Sequence, residues 1–294
     1  MKQAIVRLPW KPLHVYFIGD IQWAGDPKGV AVDYLKETIA RALAYERQGD
    51  TVRFIGMGDM TDFASPSNRA RLHAANLYDT ALGVIDQKAM DLTREVYEFL
   101  KPTKGKWLGM VEGHHFHELK DGTTTDMRLC EMLGAEFFGT TGLVKVSFYW
   151  GKLSNLPLTI WFAHGTGNGQ TGYYPLGRLE KKAAEWELVD VFAMGHTTKQ
   201  AVEFQNKVFP RWQGTGSPTL SHRKVILLGT GGYSKTYVEG AMQGQIPRGG
   251  YAEQKMLNAA ILGSPVLHAI PRRIHDHSAP KDRHHFQLDL TAEG

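Results

Sequence analysis

In the first sixty residues, two apolar runs each end in glycine and a carboxylate, and a segment with helical periodicity lies between them. Residues 13–19 form a short apolar run typical of a buried strand, and residues 51–57 form a second. Between them, apolar residues recur at helical spacing over residues 30–47, until Gln48-Gly49-Asp50 ends the pattern. The pattern predicts two βα units with carboxylates just past the strand ends, where open α/β sheets usually build their sites.

The rest of the chain predicts more strands than helices. Residues 67–100 have a helical pattern with an expected break near Gly83, and residues 125–133 and 175–187 are also predicted helices. The predicted strands are residues 106–111, 143–150, 158–163, 189–194, 201–204 and 224–228.

The chain has 294 residues, which allows two small domains or one large α/β domain. Because no Ser/Pro/Gly linker and no internal repeat divides it, we expect a single domain over residues 1–271. A polar tail is expected over residues 272–294, with a short edge strand at residues 286–290.

Composition excludes several classes of protein. With 42% hydrophobic and 22% charged residues, the chain is neither disordered nor collagen-like. Charges interrupt the N-terminus and no apolar run has the length of a membrane span, so we expect a cytoplasmic protein with no membrane partner. The net charge of +4 permits a nucleic-acid partner without arguing for one. The single Cys130 directs any metal site to nitrogen and oxygen ligands, and thirteen histidines could supply nitrogen.

Aspartate or histidine stands beside glycine at the ends of five predicted strands. Each group alone is weak evidence, because Gly-Asp is most often a turn. Their joint order is more specific, since each lies at a strand-to-loop junction where side chains can converge. The five groups are Gly19-Asp20-Ile21-Gln22, Gly58-Asp59-Met60-Thr61-Asp62, Gly113-His114-His115, His164-Gly165 and Gly195-His196-Thr197-Thr198.

This order resembles the calcineurin-like metallophosphoesterases, whose pattern runs Asp-x-His, Gly-Asp-x-x-Asp, Gly-Asn-His-Asp/Glu, His and Gly-His-x-His. The resemblance covers about residues 13–272, and glycine-rich stretches at 164–169 and 229–233 are similar to a branch often met in phage and prophage proteins. It implies an α/β sandwich of two mixed β-sheets flanked by helices. It also implies a dinuclear centre that hydrolyses phosphate esters with a metal-bound hydroxide.

The resemblance assigns roles to individual residues. Asp20 would bind the first metal and Asp59 would bridge both, while His164 and His196 would bind the second. His114 stands where the family has Asn, so it either supplies nitrogen to the second metal or leaves that position open.

Other matching residues would act on the substrate. His115 would protonate the leaving oxygen or steady the phosphoryl group, and Asp62 would orient it. Gly165, Gly167 and Asn168 belong to a glycine-rich loop that could offer backbone N–H groups to a phosphate, although a flexible turn explains the loop equally well.

Two departures from the family pattern both affect ligands of the first metal site. Gln22 and Thr198 stand where the family has first-site histidines. The first site would therefore be rich in oxygen and weaker, while the second would be rich in histidine. We expect two divalent cations, with Mn²⁺ favoured and Mg²⁺, Zn²⁺, iron and Ni²⁺ as alternatives.

Three functions remain open on the sequence. A phosphodiesterase or nuclease acting on DNA or RNA is favoured over a phosphomonoesterase acting on nucleotides or phosphoproteins. The third is a catalytically weakened metal-binding or scaffold protein on the same fold. Neither the oligomeric state nor a role for the histidine-rich tail follows from the pattern.

Overall fold

The computed structural model describes residues 1–75, 77–150, 154–167, 169, 171, 173–211, 216–276 and 283–294. The strands are β1 (Lys2–Pro9), β2 (Leu13–Ile18), β3 (Thr51–Gly56), β4 (Trp107–Met110), β5 (Thr141–Trp150), β6 (Ser154–Ala163), β7 (Val191–Met194), β8 (Gln200–Arg211), β9 (Thr219–Thr230), β10 (Met242–Gln243), β11 (Ile246–Pro247), β12 (Val266–Asp276) and β13 (Arg283–Glu293). The α-helices are α1 (Val32–Arg47), α2 (Pro66–Ala74), α3 (Asp79–Leu100), α4 (Thr125–Leu133), α5 (Tyr173–Glu185) and α6 (Tyr251–Gln254).

Most strands belong to two large mixed sheets. One has the order β1-β5-β6-β7-β9-β8 and the other β13-β12-β2-β3-β4. Within them β2, β3 and β4 run parallel, as do β6, β7 and β9. The expected α/β class with two mixed sheets flanked by helices is confirmed at this level of detail.

Alternation along the strands builds a layered core. On β2, Val15 and Phe17 face the other sheet, where they pack with side chains such as Val146 and Ile160. The opposite faces of the sheets pack against helices. Residues of α1, α3 and α4 cover the five-stranded sheet, and α5 covers the six-stranded sheet. The layers hold the strand ends rigidly, which fixes the positions of the loops that follow them.

Two expectations about elements need correction or completion. The predicted break at Gly83 is wrong, because Gly83 lies inside α3; α2 ends at Ala74 and α3 begins at Asp79. Residues 272–294 contain the end of β12 and all of β13, so the predicted edge strand is longer than residues 286–290. The division into one domain and a tail stays a prediction. Within the described residues, no helix has the length and apolar character needed to cross a membrane.

Candidate metal centre

The five predicted groups meet at one edge of the sandwich. Asp20, Asp59 and His114 follow the parallel strands β2, β3 and β4, while His164 and His196 follow the parallel strands β6 and β7. Since the carboxyl ends of parallel strands lie at the same edge of a sheet, the loops from both sheets converge there.

Four of these side chains form a compact group of potential ligands. One atom from each of Asp59, His114, His164 and His196 lies within 4.8 Å of the others, so the group could hold a metal ion. His196 Nδ1 lies 3.2 Å from both His114 Nδ1 and His164 Nε2. Ligands on bonds of about 2.1 Å are separated by about 3.0 Å in an octahedron and about 3.4 Å in a tetrahedron. The spacing therefore suits a bound cation without selecting which one.

Two buried carboxylates, Asp20 and Asp59, lie at the site. Among the described residues Asp20 Oδ1 has no hydrogen-bond partner, whereas Asp59 Oδ2 lies 3.1 Å from His164 Nε2. Burial raises the pKa of Asp20 to about 7. Burial would also raise the pKa of Asp59, but His164 and the backbone N–H of His114 hold it well below its ordinary value. Since an unpaired buried carboxylate oxygen is costly, the orphaned Asp20 Oδ1 fits direct contact with a cation.

Hydrogen bonds fix the orientation of His164. Its Nδ1 lies 2.6 Å from the carbonyl oxygen of Met57 and donates to it, so Nε2 faces Asp59 Oδ2 at 3.1 Å. Burial lowers the pKa of His164, but the Asp59 carboxylate outweighs burial and raises it to about 9. A cation in the group would therefore displace a proton from this ring at neutral pH.

The other two rings favour the neutral form that binds metals. Burial lowers the pKa of His196 to about 4, with His164 and His114 acting in the same direction. Burial and His164 also lower the pKa of His114. His114, the residue for which two readings were open, lies inside the ligand group.

Backbone conformation marks the same residues. Six non-glycine residues of the described chain have positive φ, and five of them stand at predicted ligand positions: Asp20 (48°), Gln22 (51°), Asp59 (51°), His196 (66°) and Thr198 (49°). A left-handed conformation costs about 1–3 kcal/mol at a non-glycine residue, and such residues cluster at functional sites. In the loops at residues 19–22 and 195–198, the second and fourth residues both have positive φ, so the two loops have a similar backbone conformation.

Close approach of two turns explains the glycines beside Asp59 and His114. A Cβ on Gly113 would lie 2.0 Å from Asp59 N, and one on Gly58 would lie 2.7 Å from Gly113 Cα. This approach lets Asp59 Oδ1 accept hydrogen bonds from the backbone N–H groups of His114 and, at 3.0 Å, His115. Asp59 is therefore fixed by the turn that presents His114.

His115 and Asp62 pair as the resemblance implies. His115 Nδ1 lies 2.6 Å from Asp62 Oδ1, and both side chains are partly exposed. The Asp62 carboxylate raises the pKa of His115, against burial, which lowers it. The pair thus presents the Nε2 side of the ring away from Asp62.

Sequence reasoning missed the residues that support these loops. Arg69 on α2 donates through one guanidinium nitrogen to the carbonyl oxygens of Ala64 and His114, both at 2.7 Å, and of Phe116 at 3.0 Å. Asp126 on α4 accepts from Gly113 N at 3.0 Å, and burial raises its pKa to about 7. The hydrogen bonds that support the loops are made to backbone atoms, so no motif of side chains could have indicated these residues.

The remaining candidates are not members of the four-residue ligand group. Gln22 and Thr198 are half-buried, and neither side chain makes a hydrogen bond to a described residue. Gly165 and Gly167 follow His164 with positive φ, and a Cβ on Gly167 would collide with the Tyr174 hydroxyl. Their proposed contact with phosphate stays a prediction. Asn168 lies outside the described residues.

Comparisons with known proteins find similarity to solved structures. No protein family matches the chain, and no curated protein matches it. The structure is similar to that of Vps29 from Chaetomium thermophilum, with 10% identity and a TM-score of 0.32 over 95% of this chain and 97% of that one. A similarity at this level carries no functional argument, so function has to be argued from the site itself.

Proposed function

We propose that this protein hydrolyses phosphate esters with the help of two divalent cations, and that its favoured substrate is a phosphodiester or nucleic acid. The observation that carries the proposal is the convergence of Asp59, His114, His164 and His196 in the turns that also present His115 and Asp62. The orphaned Asp20 Oδ1 supports a second cation beside the first.

The residues divide into an unequal pair of sites. The four-residue group would hold one cation tightly, and Asp20, Asp59 and the Gln22 carbonyl would hold the other more weakly. Bound cations supply an activated water and offset the negative charge that develops on the phosphoryl oxygens. Because the weaker site offers oxygen alone, Mn²⁺ or Mg²⁺ suits it better than Zn²⁺.

His115 would deliver the proton to the leaving oxygen. Its Nδ1–H donates to Asp62, which fixes the ring and leaves Nε2 to carry the transferable proton. The raised pKa of His115 keeps a larger share of the ring protonated near neutral pH. Arg69 would keep His115 in register through its hydrogen bond to the neighbouring carbonyl of His114.

The test is hydrolysis of bis(p-nitrophenyl) phosphate and p-nitrophenyl phosphate in the presence of Mn²⁺. We expect turnover of the diester to exceed that of the monoester. Asp59→Asn and His115→Ala should abolish it without unfolding the protein. His222→Ala is the matched control and should be fully active, because the His222 side chain is exposed and its one hydrogen bond to a described residue is with Asn206. Full activity in either site variant would refute the assignment.

A catalytically weakened protein is the second candidate, because Gln22 and Thr198 stand where the resemblance implies histidines. The double variant Gln22→His/Thr198→His separates the two functions. A large gain from an inactive wild type would favour the weakened protein, whereas activity already present in the wild type would reject it.

A further inference from the structure

A groove of about 450 Å³ opens beside the His115–Asp62 pair, between α2 and α3. Its volume is within the range of about 300–1,000 Å³ typical of small-molecule sites. The lining residues are Phe63, Ala64, Asn68, Arg71, Leu72 and Ile85.

Backbone hydrogen bonds join two residues that line the groove to His115, the predicted proton donor. Phe63 N and Ala64 N donate to the carbonyl oxygen of His115 at 3.0 and 3.3 Å. The Arg69 guanidinium donates hydrogen bonds to the carbonyl oxygens of both Ala64 and His114, and so links the two loops. The groove therefore borders the loop that carries His115, the residue that would meet the leaving group.

The lining combines an apolar wall with a polar rim. Phe63, Leu72 and Ile85 are half-buried, while Asn68 and Arg71 are exposed. An aromatic ring and aliphatic side chains suit the faces of a planar base, and an amide can both donate to and accept from its edge. Arg71 makes no ion pair with a described residue, so its charge can meet an anionic ligand.

We propose that this groove binds the base of a nucleotide whose phosphate lies at the metal centre. The proposal rests on the proposed function and narrows it to substrates that carry a nucleoside on the leaving-group side. Shape and apolar lining bind the base, and Arg71 adds attraction for the sugar-phosphate.

Isothermal titration of the Mn²⁺-loaded full chain tests the proposal, with thymidine 5′-monophosphate and inorganic phosphate as probes. We expect the nucleotide to bind at least about tenfold more tightly than phosphate. Ile85→Trp fills the groove and should remove most of this preference, while the affinity for phosphate changes less than about twofold. Val84→Trp is the matched control, because Val84 is 71% exposed on the same helix and does not line the groove.

The milder Leu72→Ala should also reduce the preference, which keeps the test informative if Ile85→Trp fails to fold. Equal affinity of the wild type for both probes, or an equal loss for both probes in Leu72→Ala, would overturn the proposal. So would a wild-type dimer that Leu72→Ala and Ile85→Trp dissociate, since a second copy would then occupy the groove. If the protein hydrolyses phosphate esters but binds the nucleotide no more tightly than phosphate, only the proposal that the groove binds a base is wrong. If it binds the nucleotide more tightly but does not hydrolyse phosphate esters, only the proposed function is wrong.

Discussion

Replacing Gly113 by alanine tests whether the close approach of two turns builds the metal centre. The added Cβ would lie 2.0 Å from Asp59 N and 2.1 Å from Asp59 Oδ1, and neither backbone nor a buried carboxylate can rotate away as a flexible side chain would. The turn must therefore move by about 1 Å to restore ordinary contacts. This displacement breaks the hydrogen bonds from His114 N and His115 N to Asp59.

Each hydrogen bond to a charged group contributes about 1.5–3 kcal/mol, so the two predict a loss of about 3–6 kcal/mol in the free energy of unfolding. Urea unfolding in EDTA measures that loss, and titration with Mn²⁺ should show affinity reduced at least tenfold. Gly83→Ala is the matched control, because its Cβ meets nothing within 4 Å inside α3 and should stabilise the protein by about 0.4–1 kcal/mol. A loss below about 1 kcal/mol in Gly113→Ala, with unchanged Mn²⁺ affinity, would refute the reasoning.

Three further predictions concern protons and metal. Asp62→Asn removes the carboxylate that raises the pKa of His115, so the limb of the pH–rate profile that reports deprotonation of the acid should move to lower pH; an unmoved limb would contradict its role. Because the pKa of His164 is about 9, Mn²⁺ must displace its proton at neutral pH. Its affinity, measured by titration, should rise with pH through the neutral range, by about tenfold per pH unit for the one proton that His164 releases, and a flat dependence would count against His164 as a ligand. After gentle dialysis, elemental analysis should find one tightly held ion per chain in the wild type and two in Gln22→His/Thr198→His; two equally retained ions in the wild type would exclude the unequal pair.

The strand ends that carry the candidate ligands were predictable from the sequence. Apolar runs before Asp20, Asp59 and His196 indicated buried strands, and geometry requires carboxyl ends of parallel strands to share an edge. The four-residue ligand group follows from that rule once the two sheets face each other. The sequence could not indicate which strands would run parallel, because residues far apart in the chain decide the pairing.

Other features depend on contacts that leave little local signal. Gly83 suggested a helix break, but Ser65 caps α2 through its bond to Asn68 N, and α3 begins only after Tyr78, so the helices are divided elsewhere. The polar composition of residues 272–294 concealed the full length of β13, whose pairing with β12 gives the backbone its hydrogen bonds. Arg69 escaped notice because it binds carbonyl oxygens, which every residue has.

The most direct test of the central claim is Mn²⁺-dependent hydrolysis of bis(p-nitrophenyl) phosphate by the wild type and Asp59→Asn, each assayed before and after treatment with EDTA. We predict that the wild type is active, that EDTA abolishes its activity, that added Mn²⁺ restores it, and that Asp59→Asn is inactive throughout. Hydrolysis that persists in EDTA, or equal activity in Asp59→Asn, would contradict the claim that this cluster is the catalytic metal centre.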